Sequence, residues 1–241
     1  MTDDSDQTRD GLDDNWIDKA VAVTKGATGL IPMIGGPLAE IVGVIVPGQR
    51  ADRIASYLRQ LGQRVDQMNS DVRAALAESA EKIGLIEDGG YQAARATTAE
   101  RIKRIVEAVE RGLDADETEV VRRKRLLTLL GDIDDDELNL LNAYGRTYGG
   151  RDRNAFEQVN RPDPMHMQSS REDIERTHLY DAGKEHLLRL GLLKRNFGTV
   201  KKGQLPEFDT RSGQFKHNVE VSSLGRMLLK EIGLGIPLDE D

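Results

Sequence analysis

Four histidines, His166, His178, His186 and His217, are the side chains of this chain best suited to metal or proton chemistry near neutral pH. His178 and His186 stand on one expected helix but eight residues apart, roughly 80° around its axis, where a chelating pair needs a spacing of about four. They read as solvated or capping histidines. Met165-His166-Met167 places two thioethers beside an imidazole, a soft-metal pattern, yet no other ligand lies near it in the sequence. Asp181 and Glu185 share a helix face as paired carboxylates, a spacing common on any acidic surface. The sequence contains no GxxxxGK[ST], GxSxG, HExxH or GxGxxG and no cysteine, so thiolate chemistry and disulfides are excluded. No catalytic residue, metal or cofactor is expected, and the chain reads as a non-enzyme.

Cationic side chains are the other candidates. Arg122-Arg123-Lys124-Arg125 is the sharpest basic run, but four successive residues point around most of a helix rather than along one face. It reads first as solvated surface and second as a contact for lipid headgroups or phosphate, with Asp132, Asp134, Asp135 and Asp136 weighing against the second. Farther on, a polar turn carries Lys194, Arg195, Lys201, Lys202, Arg211 and Lys216. If the chain meets an anion or a nucleic acid, the expected contacts are Arg122, Arg123, Lys194, Arg195, Lys201 and Lys202. With 241 residues, a formal net charge of −8 and a sequence pI of about 5.2, there is no global basic field, so such binding needs a local patch. The acidic opening MTDDSDQTRDGLDD lacks the basic n-region and adjoining apolar h-region of a secretory signal. Residues 1–12 read as a disordered acidic tail, and the expected location is the cytoplasm.

The elements that must position these groups are mostly helical, since Ala, Leu, Glu and Arg dominate the periodic stretches. A first helix is expected from Asp13 or Asp14 to about Gly29. Next, the run GLIPMIGGPLAEIVGVIVPG is almost wholly apolar in a chain that is 32% charged. Pro32 and Gly35-Gly36-Pro37 break it, and Pro37 suits the first position of a new helix, so the run predicts a hairpin of helices. Ile54, Tyr57, Leu58, Leu61, Val65 and Met68 then form one amphipathic stripe. Ser70 or Asp71 is expected to cap a helix that ends at Gly89-Gly90, followed by one with Ile102, Ile105, Val106 and Val109 inward and a stop at Gly112. Two further helices are expected over 116–131 and 135–148, the second opened by Asp134 with Glu137 in a capping box.

Three uses of the apolar run remain open: a permanent membrane span, the centre of a soluble helical bundle, or a buried hairpin released to a membrane on demand. A span needs about 20 apolar residues, whereas Pro37 to Val46 is half that, and Glu40 would cost roughly 2.5–3.5 kcal/mol at the bilayer centre. Ala39 and Gly43, four apart, allow close helix packing in a bundle. For a membrane-active hairpin the residues that matter are Leu30, Ile31, Ile34, Leu38, Glu40, Ile41, Val42, Gly43 and Ile45.

After an irregular segment over 149–170, a helix closing on HLLRLGLLKR, a polar stretch, the alternating FKHNVEV and the helix SSLGRMLLKEIG follow in order. These parts resemble winged-helix domains, with HLLRLGLLKR matching the third helix and first wing strand and DIDDDELNLLNAYG the first helix. The fold class expected is mainly α. A helical bundle over 13–130 carries the apolar hairpin 29–48, a winged-helix-like α+β domain occupies 131–236, and 237–241 is a tail. The long RPDPMHMQSS and an acid-rich third helix count against groove reading of DNA.

The whole layout resembles the abortive-infection alpha proteins and related prophage-borne proteins. It is carried by GLIPMIGGPLAEIVGVIVPGQR, AERIKRIVEAVERGL, RRKRLLTLLGDIDDDELNLLNAY, HLLRLGLLKR and VEVSSLGRMLL. The resemblance implies a role in phage defence or mobile-element conflict and brings no catalytic residues. The leading expectation is a non-enzymatic effector acting through conditional membrane insertion, placed in the cytoplasm or peripherally on the inner face of the membrane. Its partner would be an unidentified protein or a second copy. The alternatives are a winged-helix nucleic-acid-binding regulator, ranked lower, and a structural protein-interaction adaptor.

Overall fold

The structure, a computed structural model, describes residues 48–76, 79–148, 152–163, 165–210 and 213–235. The expected first helix, the apolar hairpin up to Pro47 with all nine of its named residues, and the two tails lie outside them. The molecule is mainly helical, with a small antiparallel β part near the C-terminus. It divides into two compact units, one up to Gly131 and one from Asp132. No helix among the described residues is long and apolar enough to cross a membrane.

The first unit contains α1 (Gly48–Asp66), α2 (Ser70–Leu76), α3 (Ala80–Arg95), α4 (Ala99–Leu113) and α5 (Glu117–Asp132). Ser79 and Thr98 cap α3 and α4 by accepting from the amides of Lys82 and Arg101, which satisfies first-turn N–H groups. Helices α1, α3 and α4 pack on one another, and the α1 stripe Ile54, Tyr57, Leu61 and Val65 is buried as its spacing predicts. Leu58 and Met68 stay half-exposed. The expected break at Gly89-Gly90 is corrected: α3 runs through both glycines. A β-carbon at Gly89 would overlap the Tyr57 hydroxyl and stand 2.7 Å from Val109 Cγ2. The glycine is there for close approach by α1 and α4, which outweighs its poor helix propensity of about 1 kcal/mol.

Buried and half-buried polar side chains tie this unit together by answering helix carbonyls. Lys82 Nζ donates to Leu113 O at 2.8 Å at the end of α4. Gln92 Nε2 donates to Leu127 O at 2.6 Å, and Arg101 donates to Leu130 O, both on α5. The Tyr57 hydroxyl donates to Ile86 O at 2.9 Å, and burial pushes its ionisation well up. Each of these groups would be costly to bury without such a partner.

In the second unit the order is α6 (Asp135–Arg146), a turn-rich stretch, α7 (Arg171–Arg189), β1 (Leu193–Asn196), β2 (Phe208–Asp209), β3 (Gln214–Phe215), β4 (Asn218–Val221) and α8 (Ser223–Glu231). Asp134 caps α6 in the full capping box with Glu137. Helix α7 ends in a Schellman motif: Leu192 N donates to Leu187 O, Gly191 N to Leu188 O, and Gly191 takes φ +72°. That turn sends the chain directly into β1. Strands β1 and β4 pair antiparallel from Leu193↔Val221 to Asn196↔Asn218. The FKHNVEV stretch is not one strand, because Lys216 and His217 separate β3 from β4. Ser222 caps α8, and at Gly225 a β-carbon would overlap Leu192 O, so α8 packs backbone-close on the end of β1.

Candidate functional site

The base of the β1–β4 ladder is core and its far end is not. Leu193 and Val221 are buried beside Leu187, Leu192, Leu228 and Leu229, while Lys194, Arg195 and Asn196 are exposed. The ladder therefore leaves the core as it proceeds, and residues 197–217 form an excursion at its open end. A second, shorter pair, β2–β3, sits within that excursion with Phe208 opposite Phe215.

Aromatic rings crowd this excursion and remain in solvent. Phe208 and Phe215 meet edge-to-face at 5.5 Å between centroids, and Phe197 tilts against the His217 ring at 5.7 Å. Phe208 is 52% exposed, Phe197 44% and Phe215 37%. His217 Nδ1 donates to Phe215 O at 2.8 Å. A cleft of about 560 Å³ opens between Phe197, Phe215 and His217, with Asn196, Gln214 and Asn218 offering amide donors and acceptors along it. The Asn196 side chain is already oriented: Nδ2 donates to Glu220 at 2.6 Å, and Oδ1 accepts from Gly198 N at 2.9 Å.

The cationic candidates separate into answered and unanswered charges. Arg122 pairs with Glu119 at 2.9 Å, Arg123 lies 3.7 Å from the same carboxylate, and Lys124 sits between Glu81 and Asp88. The basic run of α5 is thus largely neutralised by its own unit. On β1, Lys194 stands 3.7 Å from Glu220, its cross-strand neighbour, and Arg195 donates twice to Glu185 of α7 at 2.7 and 2.6 Å. Lys216 is paired with Glu207, which raises its pKa. Lys201 and Lys202 are exposed and make no ion pair among the described residues.

The histidine expectations divide likewise. His178 is exposed on α7 and His166 is engaged locally, its Nδ1 accepting from Gln168 N at 3.1 Å. His186 is neither solvated nor a cap: its Nδ1 meets Glu137 Oε1 at 2.7 Å, tying α7 to α6 where Gly183 lets the helices approach. Met165 and Met167 are both exposed. Among the described residues no group of three or more His, Asp or Glu could hold a metal ion.

A second concavity of about 600 Å³ lies between α6, α7 and residues 156–165 of the same unit. Tyr144, packed edge-to-face on Phe156, and Tyr180 line it with Arg161 and Lys184. Burial, reinforced by Tyr180 and opposed by Arg161, pushes the Tyr144 hydroxyl up to about 12.

The aromatic residues of this excursion are not among the candidates read from the sequence, although a signal is present there. The chain has four phenylalanines, and Phe197, Phe208 and Phe215 fall within one short polar stretch. Comparison with protein families, with curated proteins and with solved structures finds no match for this chain.

Proposed function

We propose that this chain is a non-enzymatic effector whose C-terminal unit is a winged-helix-like recognition module. The observation that carries the reading is the order α6, α7, β1, β4, α8, with the β1–β4 ladder rooted in the core and a 197–217 excursion held out from it. An exposed wing rich in aromatic and cationic side chains is costly surface for a merely structural element, and it suits contact with a partner. The apolar residues 29–48 are the proposed output element, and the role in phage defence or mobile-element conflict is what the sequence resemblance implies.

The test is expression in a bacterial host challenged with a phage panel. The wild-type chain is expected to protect or to arrest infected cells, and a chain with residues 198–216 replaced by a short glycine turn to lose that effect while keeping its helical circular dichroism. Glu40→Gln is expected to increase toxicity, because it removes an insertion cost of roughly 2.5–3.5 kcal/mol. Protection that survives loss of the wing, or no phenotype in any of the three chains, overturns the proposal.

A further inference from the structure

We propose that the wing binds single-stranded nucleic acid, with bases stacked on Phe197, Phe208 and Phe215 and backbone phosphates on Lys201 and Lys202. The inference rests on the recognition-module reading and names the ligand of that same surface.

Three observations converge on it. First, the local charge is opposite to that of the chain: between residues 193 and 221, six lysines and arginines stand against three carboxylates, while the whole chain is at −8. Second, Lys201 and Lys202 are exposed with no ion pair among the described residues, so their charge is available to a polyanion. Third, Phe197 and Phe215 line a cleft edged with the amides of Asn196, Gln214 and Asn218 and, at one side, the Asp209 carboxylate, while Phe208 stands edge-to-face on Phe215. Every base has a π-face, so such rings bind unpaired bases with little regard to sequence.

The same surface disfavours a duplex. In a duplex the base faces are already stacked on their neighbours, and exposed phenylalanines would gain nothing from them. Groove reading would fall to α7, where Arg171, Arg176, Lys184 and Arg189 are outnumbered by five carboxylates. A protein partner could also cover apolar rings, but it would not require Lys201 and Lys202 to stand without acidic neighbours beside them.

Fluorescence anisotropy of the full chain against labelled 20-nucleotide oligo(dT), oligo(rU) and a 20-base-pair duplex tests the inference across a salt series. Binding to one or both single strands, at least tenfold tighter than to the duplex and weakening with salt, is expected; which single strand binds better distinguishes DNA from RNA as the source. Phe197→Ala and Phe215→Ala are each expected to weaken single-strand binding by about tenfold, as loss of one stacked base would. Phe215→Tyr should retain binding, since it keeps the ring, and Phe215→Leu should lose it despite being apolar. Replacing Lys201 and Lys202 together by Ala should flatten the log K against log salt slope by about 1.4.

Phe215 packs on Phe208, so the melting temperature of each variant is measured alongside, and the retained ring of Phe215→Tyr and the exposed Lys201 and Lys202 keep the comparison independent of a folding defect. No binding to either single strand at low salt overturns the inference. So does a duplex preference, or a Phe215→Leu variant that binds as wild type does, which would indicate an apolar protein-docking surface. If single strands do not bind but the wing is still required for protection, the ligand is wrong and the recognition module stands.

Discussion

The two units treat their polar and apolar groups in opposite ways. In the first, the exposed large apolar side chains among the described residues are Tyr91 and Val121, and buried Lys82 and Arg101 with half-buried Gln92 are turned inward onto helix carbonyls. In the second, Met165, Met167, Ile174, Leu179, Phe197, Val200, Leu205, Phe208, Phe215 and Met227 all reach solvent. One unit spends its chemistry on its own closure, and the other holds much of it outward. The first three turns of α7 show how this is possible. Leu187 is the buried residue of that helix, so its opening is held locally by the Ser170–Asp173 capping box and the Arg171–Glu175 and Arg176–Glu172 pairs at 2.9 and 3.1 Å. Each such pair contributes only about 0.2–0.5 kcal/mol, enough to shape a helix but not to bury it.

That contrast breaks most visibly at Tyr57. It is fully buried between α1, α3 and α4, and its hydroxyl satisfies Ile86 O. Tyr57→Ala is expected to cost about 3–5 kcal/mol from the cavity alone, with the freed carbonyl adding to it. Urea unfolding followed by circular dichroism reads the shift. A loss under about 1 kcal/mol would mean that the first unit is not the tightly closed body described.

A pH experiment sharpens the comparison in the second unit. The Tyr144 hydroxyl is raised in the folded state to about 12 from its ordinary 10.0, chiefly by burial. Its contribution is therefore whole below pH 10 and is lost as the pH climbs through about 12, because the unfolded chain ionises first. Tyr144→Phe removes the ionisable group, so it should lessen the stability lost between pH 9 and pH 11.5. The first unit keeps its own alkaline loss through Tyr57. Amide exchange at Leu192 reports the second unit and at Leu127 the first, and equal alkaline loss at Leu192 in both proteins would refute the assignment.

The smallest effect is expected at Leu179, which is 75% exposed on α7. Leu179→Ser should change stability by no more than about 0.5 kcal/mol. A marked fall in melting temperature would show that this face is covered in solution, and a concentration-dependent melting temperature in the wild type would identify a second copy as the cover.

Sequence alone was enough for features whose causes are local. The capping box at Asp134 and Glu137, the α1 stripe and the turn at Gly191 all depend on residues within a few positions of one another, so spacing and residue type specify them. The helix–strand–strand–helix order at the C-terminus was legible for the same reason. Tertiary structure decided whatever depends on a distant neighbour. Gly89 looked like a helix stop and is instead a contact point, because Tyr57 and Val109 come from other helices. His186 looked solvated and is held by Glu137, 49 residues away. Lys194 and Arg195 looked as available as Lys201 and Lys202, until Glu220 and Glu185 were brought beside them. A charge or a ring declares its type in the sequence; whether it is answered or left open is decided by long-range neighbours, which only the folded chain supplies.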